Sequence, residues 1–274
     1  MERLKAALDK ARETRASGGA SLRSAPPGRS AAHPSLDQAW ASLSPLNLDA
    51  RALAKRRLIA FGRPAEATPI DVLRTKVLQM AGTNEWRRIA VTSPLPGAGK
   101  TTTAINLAVA LARHVDLRIV LMDMDMRRPA MARALGVTGK HGVASVLEGR
   151  ESFGDQARRY GENLAISMNY LGQRDPSDMF LRTQTATVLD RIEAEYRPDF
   201  ILFDMPPMLV NDDASALMGN VDCALILAEA GSTTADQVDV CEREIAAQTN
   251  VLGVVLNKCK YASDSYAQYY TGYN

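Results

Sequence analysis

Between residues 87 and 257 the chain carries five short, nearly unbroken apolar runs: RRIAVTS (87–93), LRIVLMD (117–123), PDFILFD (198–204), DCALILA (222–228) and VLGVVLN (251–257). A weaker one, NLAISMN, covers 163–169. Runs this short and this apolar fit strands buried on both faces, and helical spacing separates them. The alternation predicts an α/β fold, a doubly wound, mostly parallel sheet with one core from roughly 65 to 260. PIDVLRTKVLQMAG (69–82) predicts a helix with Gly82 just past its end.

Upstream the pattern is different. MERLKAALDKARETR (1–15) repeats Leu4, Ala7, Leu8 and Ala11 at helical spacing, and SGGASLRSAPPGRSAAHPS (17–35) has the composition of a flexible linker. Downstream, YASDSYAQYYTGYN (261–274) has no core-forming pattern yet holds five of the eight tyrosines. The expected organisation is a basic, flexible arm over 1–64, a folded body over 65–260 and a tyrosine-rich tail over 261–274.

Charge sharpens the first of these divisions. The arm has twelve Lys/Arg against five Asp/Glu, whereas the net charge of the whole chain is only +2. A basic arm on a mildly acidic body suits an acidic partner, a membrane surface or nucleic acid. Cys223, Cys241 and Cys259 are odd in number and lack CxxC spacing, which predicts free thiols in a reducing compartment. His33, His114 and His141 lack metal-ligand spacing, and the start Met-Glu-Arg-Leu-Lys does not read as a signal peptide. With no apolar run near the roughly 20 residues of a membrane span, the expected location is cytoplasmic.

The chemistry begins where the first strand turns into a helix, in IAVTSPLPGAGKTTTAINLAVALA. Gly97, Ala98 and Gly99 let backbone N–H groups converge on an anion, and the helix N-terminus adds partial positive charge. Lys100 is placed to reach β- and γ-phosphates, and the Thr101 hydroxyl to sit on Mg²⁺. The helix reads as amphipathic, marked by Ile105, Leu107, Ala108 and Leu111. Pro94 stands where the strict G-x-x-x-x-G-K-[ST] pattern requires its first glycine, so the Walker motif is deviant.

Two further strands end in acid. IVLMDMDMRRP places Asp123 and Asp125 two residues apart, on one side of an extended segment. PDFILFDMPP ends its strand with Asp204. Paired carboxylates are unfavourable without a cation between them, and nucleotide-bound Mg²⁺ supplies one. Ligand sites in such sheets lie beyond the carboxyl ends of the strands, so these groups share one edge. Asn257 and Lys258 end the last strand there, where Asn257 is either a reader of the adenine edge or a turn former.

In their order, TSPLPGAGKTTTAINLA, VLMDMDMRRP, FILFDMPP and GVVLNK resemble the bacterial tyrosine kinases (BY-kinases), P-loop NTPases with deviant Walker motifs, over roughly 68–274. Partition-type and division-site ATPases of the wider group carry a signature lysine early in the loop. Pro94-Leu95-Pro96 stands there instead, as in BY-kinases. The resemblance implies ATP and Mg²⁺ as cofactors and autophosphorylation between neighbouring chains of a homo-oligomer. Gly97 to Thr102 and Asn257 would bind nucleotide, and Thr101, Asp125 and Asp204 would serve the metal. Asp123 is expected to take the tyrosine proton, and Arg127 to neutralise phosphate charge. Tyr261, Tyr266, Tyr269, Tyr270 and Tyr273 would be the phosphoacceptors. The implied setting is exopolysaccharide polymerisation and export. There a separate membrane chain-length protein activates the kinase at the inner face of the membrane, a phosphatase resets it, and nucleic acid plays no part. The family's Glu-x-x-Arg before Leu73-Arg74-Thr75 is not kept, since its two positions fall on Thr68 and Asp71, so its ring-shaped octamer is not implied. The alternative is a P-loop ATPase switch or scaffold for a membrane polysaccharide complex, with the same loop and the same aspartates.

Overall fold

The computed structural model describes residues 34–62 and 67–259. The helix expected over 1–15, most of the linker and the tail lie outside the described residues. The elements in chain order begin with α1 (Pro34–Ser42), β1 (Ser44–Pro45), α2 (Ala50–Ala54) and a 3₁₀ turn (Ile59–Phe61). Then come α3 (Thr68–Asn84), β2 (Arg88–Thr92), α4 (Lys100–Ala112), β3 (Ile119–Asp123), α5 (Met131–Leu135), α6 (Val143–Leu147), α7 (Phe153–Gln156), β4 (Arg158–Tyr160) and β5 (Leu164–Ser167). The rest are α8 (Pro176–Phe180), α9 (Thr183–Tyr196), β6 (Phe200–Asp204), α10 (Asp213–Met218), β7 (Cys223–Glu229), α11 (Ala235–Ala246) and β8 (Asn250–Asn257).

The strands form one sheet in the order β1-β4-β5-β3-β6-β2-β7-β8. Every pairing is parallel except β4 with β5. All six apolar runs are strands, and the unpredicted β1 and β4 extend one margin with short, polar segments whose sequence lacks the apolar signal. At the other margin β8 has, among the described residues, a neighbour on one side only, and its register on β7 slips at Ala224/Leu225, where Leu252 is the extra residue.

Apolar cores lie on both faces of the sheet. One gathers Ile105, Leu107, Ala108 and Leu111 of α4 with Val77 and Ala81 of α3, and the other gathers Leu189 and Ile192 of α9 with Leu217 of α10 and Cys241 and Ile245 of α11. All three cysteines are free, with Cys223 and Cys241 buried and Cys259 exposed.

The body starts earlier in the chain than the composition suggests. The reading of 1–64 as an arm does not hold for 34–62, because Trp40 and Leu43 enter one core and Leu46, Leu53 and Leu58 the other. Trp40 is 3% exposed and donates its indole N–H to the Tyr196 carbonyl at 2.8 Å. Its ring meets that of Tyr196 edge-on at 6.2 Å. These apolar residues are spaced irregularly among Arg, Lys and Ser, so no period marks them.

Two helices also depart from expectation. Helix α3 continues through Gly82 to Asn84, and the left-handed residue that stops it is Glu85, with φ 59°. Helix α4 is not amphipathic, since it is buried without interruption from Thr103 to Leu111. Its outer side is covered by α3 and by the segment around the 3₁₀ turn. Asn106 ties that cover down, because its Oδ1 accepts from the Ala60 N–H at 2.9 Å and its Nδ2 donates to the Arg57 carbonyl at 3.0 Å.

Candidate functional site

Strand β2 delivers the chain to a loop, residues 93–99, that wraps the N-terminus of α4. Gly97 and Gly99 take φ of 96° and 92°, a region other residues enter only under strain. A Cβ on Gly97 would lie 3.4 Å from a Glu229 carboxylate oxygen, and one on Gly99 would lie 2.6 Å from the Asn257 amide nitrogen. The loop is therefore pressed against the ends of β7 and β8. It is also fastened to the segment after β6: the Met208 N–H donates to the Ser93 carbonyl at 2.8 Å, the Leu209 N–H to the Pro94 carbonyl at 3.1 Å, and the Thr92 hydroxyl to the Pro206 carbonyl at 2.8 Å.

Lys100 is the first residue of α4 and is 7% exposed. Burial lowers the pKa of its ammonium, and Asp204 and Asp125 partly oppose that shift. β3 and β6 are neighbours in a register that sets Asp123 opposite Asp204. Both side chains are fully buried, and no oxygen of either carboxylate has a hydrogen-bond partner of good geometry, although the Thr101 hydroxyl lies close enough to Asp204 to favour its charged form. Burial, and then repulsion from Asp125, raise the Asp204 carboxyl to about 7, against the Thr101 hydroxyl and Lys100. Asp123 is also raised well above the usual carboxylate range, by burial and by Asp204 and Asp125. Asp125 is part-exposed, accepts from the Arg128 N–H at 3.2 Å, and is also raised by burial, with Lys100 opposing.

Buried carboxylates without partners are costly. A lysine, a threonine hydroxyl and two such carboxylates around a glycine loop fit a phosphate chain carrying a divalent cation. Among the described residues no group of three or more His, Cys, Asp or Glu could hold a metal ion by itself. Mg²⁺ accords with that, because it takes one or two carboxylates and fills its shell with phosphate oxygens and water.

Two of the expected site residues are engaged within the fold, Arg127 by an acid and Asn257 by the loop. The Arg127 Nε and Nη2 grip Asp213 at 2.5 and 3.0 Å, and its Nη1 donates to the Arg174 carbonyl. The Asp213 side chain is 1% exposed, so removing Arg127 from it would strand a buried charge. Asn257 is turned to the loop and not to open space, because its Nδ2 donates to the Ala98 carbonyl at 2.7 Å. Lys258 follows with φ 59°, and its Nζ pairs with Glu229 at 2.9 Å. The placement of Gly97, Ala98, Gly99, Lys100, Thr101, Asp123, Asp125 and Asp204 at one edge is as expected. The phosphoacceptor candidates lie outside the described residues.

Asn169, Glu229 and Asp213 were not anticipated. Asn169 is buried and donates from Nδ2 to the Asp123 carbonyl at 2.7 Å, fixing the end of β3. Its signal was its place at the carboxyl end of NLAISMN, where Asp123 and Asp204 end their own runs. Nothing local marks Asp213, whose partner is 86 positions away.

Known proteins resemble the chain in sequence and in fold. The tyrosine-protein kinase YwqD of Bacillus subtilis (strain 168) is 27% identical over 219 residues, covering 79% of this chain and 92% of its own length. The tyrosine-protein kinase etk of Escherichia coli (strain K12) is 27% identical over 215 residues, covering 76% of this chain but only 29% of its own. The chain thus spans under a third of that relative. Among solved structures the VpsO kinase domain matches with TM-score 0.63 and 27% identity, over 72% of this chain and 97% of that one. The septum site-determining protein MinD of Pyrococcus horikoshii, complexed with Mg-ADP, shares the fold at TM-score 0.51 and 24% identity, over 66% of this chain and 76% of that one. The family model described as CobQ/CobB/MinD/ParA nucleotide binding domain matches residues 89–272, from the strand before the glycine loop to the tail. The chain belongs to the CobQ/CobB/MinD/ParA family of nucleotide-binding domains.

Proposed function

We propose that the chain is an ATP- and Mg²⁺-dependent protein-tyrosine autokinase that phosphorylates Tyr261, Tyr266, Tyr269, Tyr270 and Tyr273 of a neighbouring copy. By that means it regulates exopolysaccharide polymerisation or export. The observation that carries the proposal is a convergence. Lys100, Asp123, Asp125 and Asp204 meet at one sheet edge, and β8 ends against the same loop shortly before a sequence holding five of the eight tyrosines. Relatives named tyrosine-protein kinases support the reaction. A shared fold crystallised with Mg-ADP supports the cofactors.

In this reading the loop N–H groups and Lys100 bind the β- and γ-phosphates. Thr101, Asp204 and Asp123 are the residues that would hold Mg²⁺, which when bound neutralises charge on those phosphates. A tyrosine hydroxyl, with a pKa of roughly 10, is a weak nucleophile at neutral pH. Asp125 takes its proton as the phenolic oxygen bonds to the γ-phosphorus, the bond to the β–γ bridging oxygen breaks, and ADP leaves. Asp125 replaces Asp123 in this role because Asp125 is part-exposed and open to a tyrosine from another chain, while Asp123 is fully buried beside Asp204 and is left to the metal. Lys100 stabilises the charge that spreads over the transferred phosphoryl group.

No helix among the described residues is long and apolar enough to cross a membrane. In this reading a separate membrane chain-length protein would recruit the kinase to the inner face. A phosphotyrosine phosphatase would reset it. The test mixes Lys100→Met protein, tail intact, with protein lacking residues 261–274, and adds Mg-ATP. Phosphotyrosine is expected on the Lys100→Met chain, and only in the mixture. Label on wild type but not in the mixture would mean transfer within one chain. Wild type that hydrolyses ATP yet carries no phosphotyrosine, even with a membrane partner added, would replace the kinase reading with the ATPase switch.

A further inference from the structure

The role of Asn257 follows from the geometry of one peptide unit. Ala98 is 2% exposed and sits between two glycines with positive φ, so its carbonyl can reach neither water nor a regular ladder. Asn257 provides the partner, at 2.7 Å from Nδ2. A trans peptide is planar, with its C=O and N–H pointing in opposite directions. Holding the Ala98 carbonyl toward β8 therefore turns the Gly99 N–H away from β8. Asn257 is itself well fixed, because the Ala230 N–H donates to its carbonyl at 2.9 Å and the neighbouring Lys258 is paired with Glu229. A Cβ at Gly99 would meet the same amide at 2.6 Å, so the contact between strand end and loop is tight from a second direction.

We propose that Asn257 is a positioning residue for the phosphate loop, one that orients the Ala98–Gly99 peptide so that the Gly99 N–H serves phosphate, and that it does not read the adenine ring. The amide that would recognise a base is already engaged with the backbone. The proposal rests on the loop being the nucleotide cradle and is independent of whether the phosphoryl group goes to tyrosine or water.

The experiment compares wild type with Asn257→Leu, which keeps the volume and loses the donor. Dissociation constants are measured by calorimetry for Mg-ATP, Mg-GTP and inorganic tripolyphosphate, and apo thermal unfolding is recorded alongside. Orphaning a buried carbonyl and releasing the loop should weaken all three ligands by a common factor of about ten or more. The ATP-to-GTP ratio should stay unchanged. A variant in which only ATP weakens, while tripolyphosphate binds as before, would make Asn257 a base reader and overturn the proposal. So would unchanged affinity for all three. Should Asn257→Leu fail to fold, Asn257→Ser, too short to reach Ala98, is read by the same ratios. Wild type that binds none of the three ligands would sink the nucleotide-cradle reading itself.

Discussion

Trp40 tests whether residues 34–62 belong to the body of the protein. A tryptophan buries roughly 150–250 Å², which at about 25 cal/mol per Å² is worth about 4–6 kcal/mol. Trp40 is 3% exposed, so nearly all of that applies. Alanine recovers only a small part of it and leaves a cavity beside the Tyr196 ring. Trp40→Ala also orphans the Tyr196 carbonyl and removes the ring face over which Arg118 lies at 5.9 Å. The expected loss is about 3–5 kcal/mol, a large share of the roughly 5–15 kcal/mol that holds a domain together. Trp40→Phe keeps most of the ring and loses the N–H donor, so it should cost about 1–2 kcal/mol. Urea unfolding followed by circular dichroism measures both, since removing one of only two tryptophans compromises fluorescence as a probe. A loss below about 1 kcal/mol for Trp40→Ala would mean that this segment merely rests on the domain, and the core boundary would return to the region of residue 65.

Lys100→Met should abolish measurable Mg-ATP binding in calorimetry, because it removes a buried cation from the loop while two unpartnered carboxylates stay behind it. Asp204→Asn, without nucleotide or metal, should stabilise the protein by about 2 kcal/mol above neutral pH. Because burial raises the folded-state pKa to about 7, wild type bears the whole penalty above that pH and sheds it as pH falls toward the ordinary carboxylate range. Urea curves at several pH values should therefore show the mutant's advantage shrinking toward about pH 4, and a pH-independent difference would refute the reasoning. Gly82→Ala should raise stability by about 1 kcal/mol, since Gly82 lies inside α3 and a Cβ there meets nothing within 4 Å. A lower melting temperature for that variant would show that the glycine has another role.

What the sequence made legible was whatever an unbroken local pattern marks. The buried strands announce themselves because no polar residue interrupts ILFD or IVLMD, and the acids that end them stand out for the same reason. Lys100 and Thr101 are legible because a glycine loop, a strand and a helix occur within one short window. Residues whose role depends on distant partners were hidden. The grip of Arg127 on Asp213 and the bond of Asn257 to Ala98 join residues far apart in the chain, and no local pattern shows either. The arm boundary was misplaced because Trp40, Leu46 and Leu58 recur with no helical or strand period in a basic, small-residue context. Only the surface that receives them shows they are core. Glu85 replaced Gly82 as the helix stop because its backbone enters the left-handed region despite the usual preference for glycine.

The irregular pairing of β8 bears on solubility. Among the described residues this eight-residue strand is paired on one side only, so its other side presents a row of donors and acceptors, with Val254 and Leu256 exposed along it. Such a margin is a template on which strands of other molecules can add. The extra residue at Leu252 breaks the spacing of that row and increases the local twist. An incoming strand can match the margin on one side of the slip but not across it, which leaves 253–257 as the longest even stretch for any one foreign partner. The same irregularity that seats Leu252 in the core thus acts as a guard against fibrous self-association.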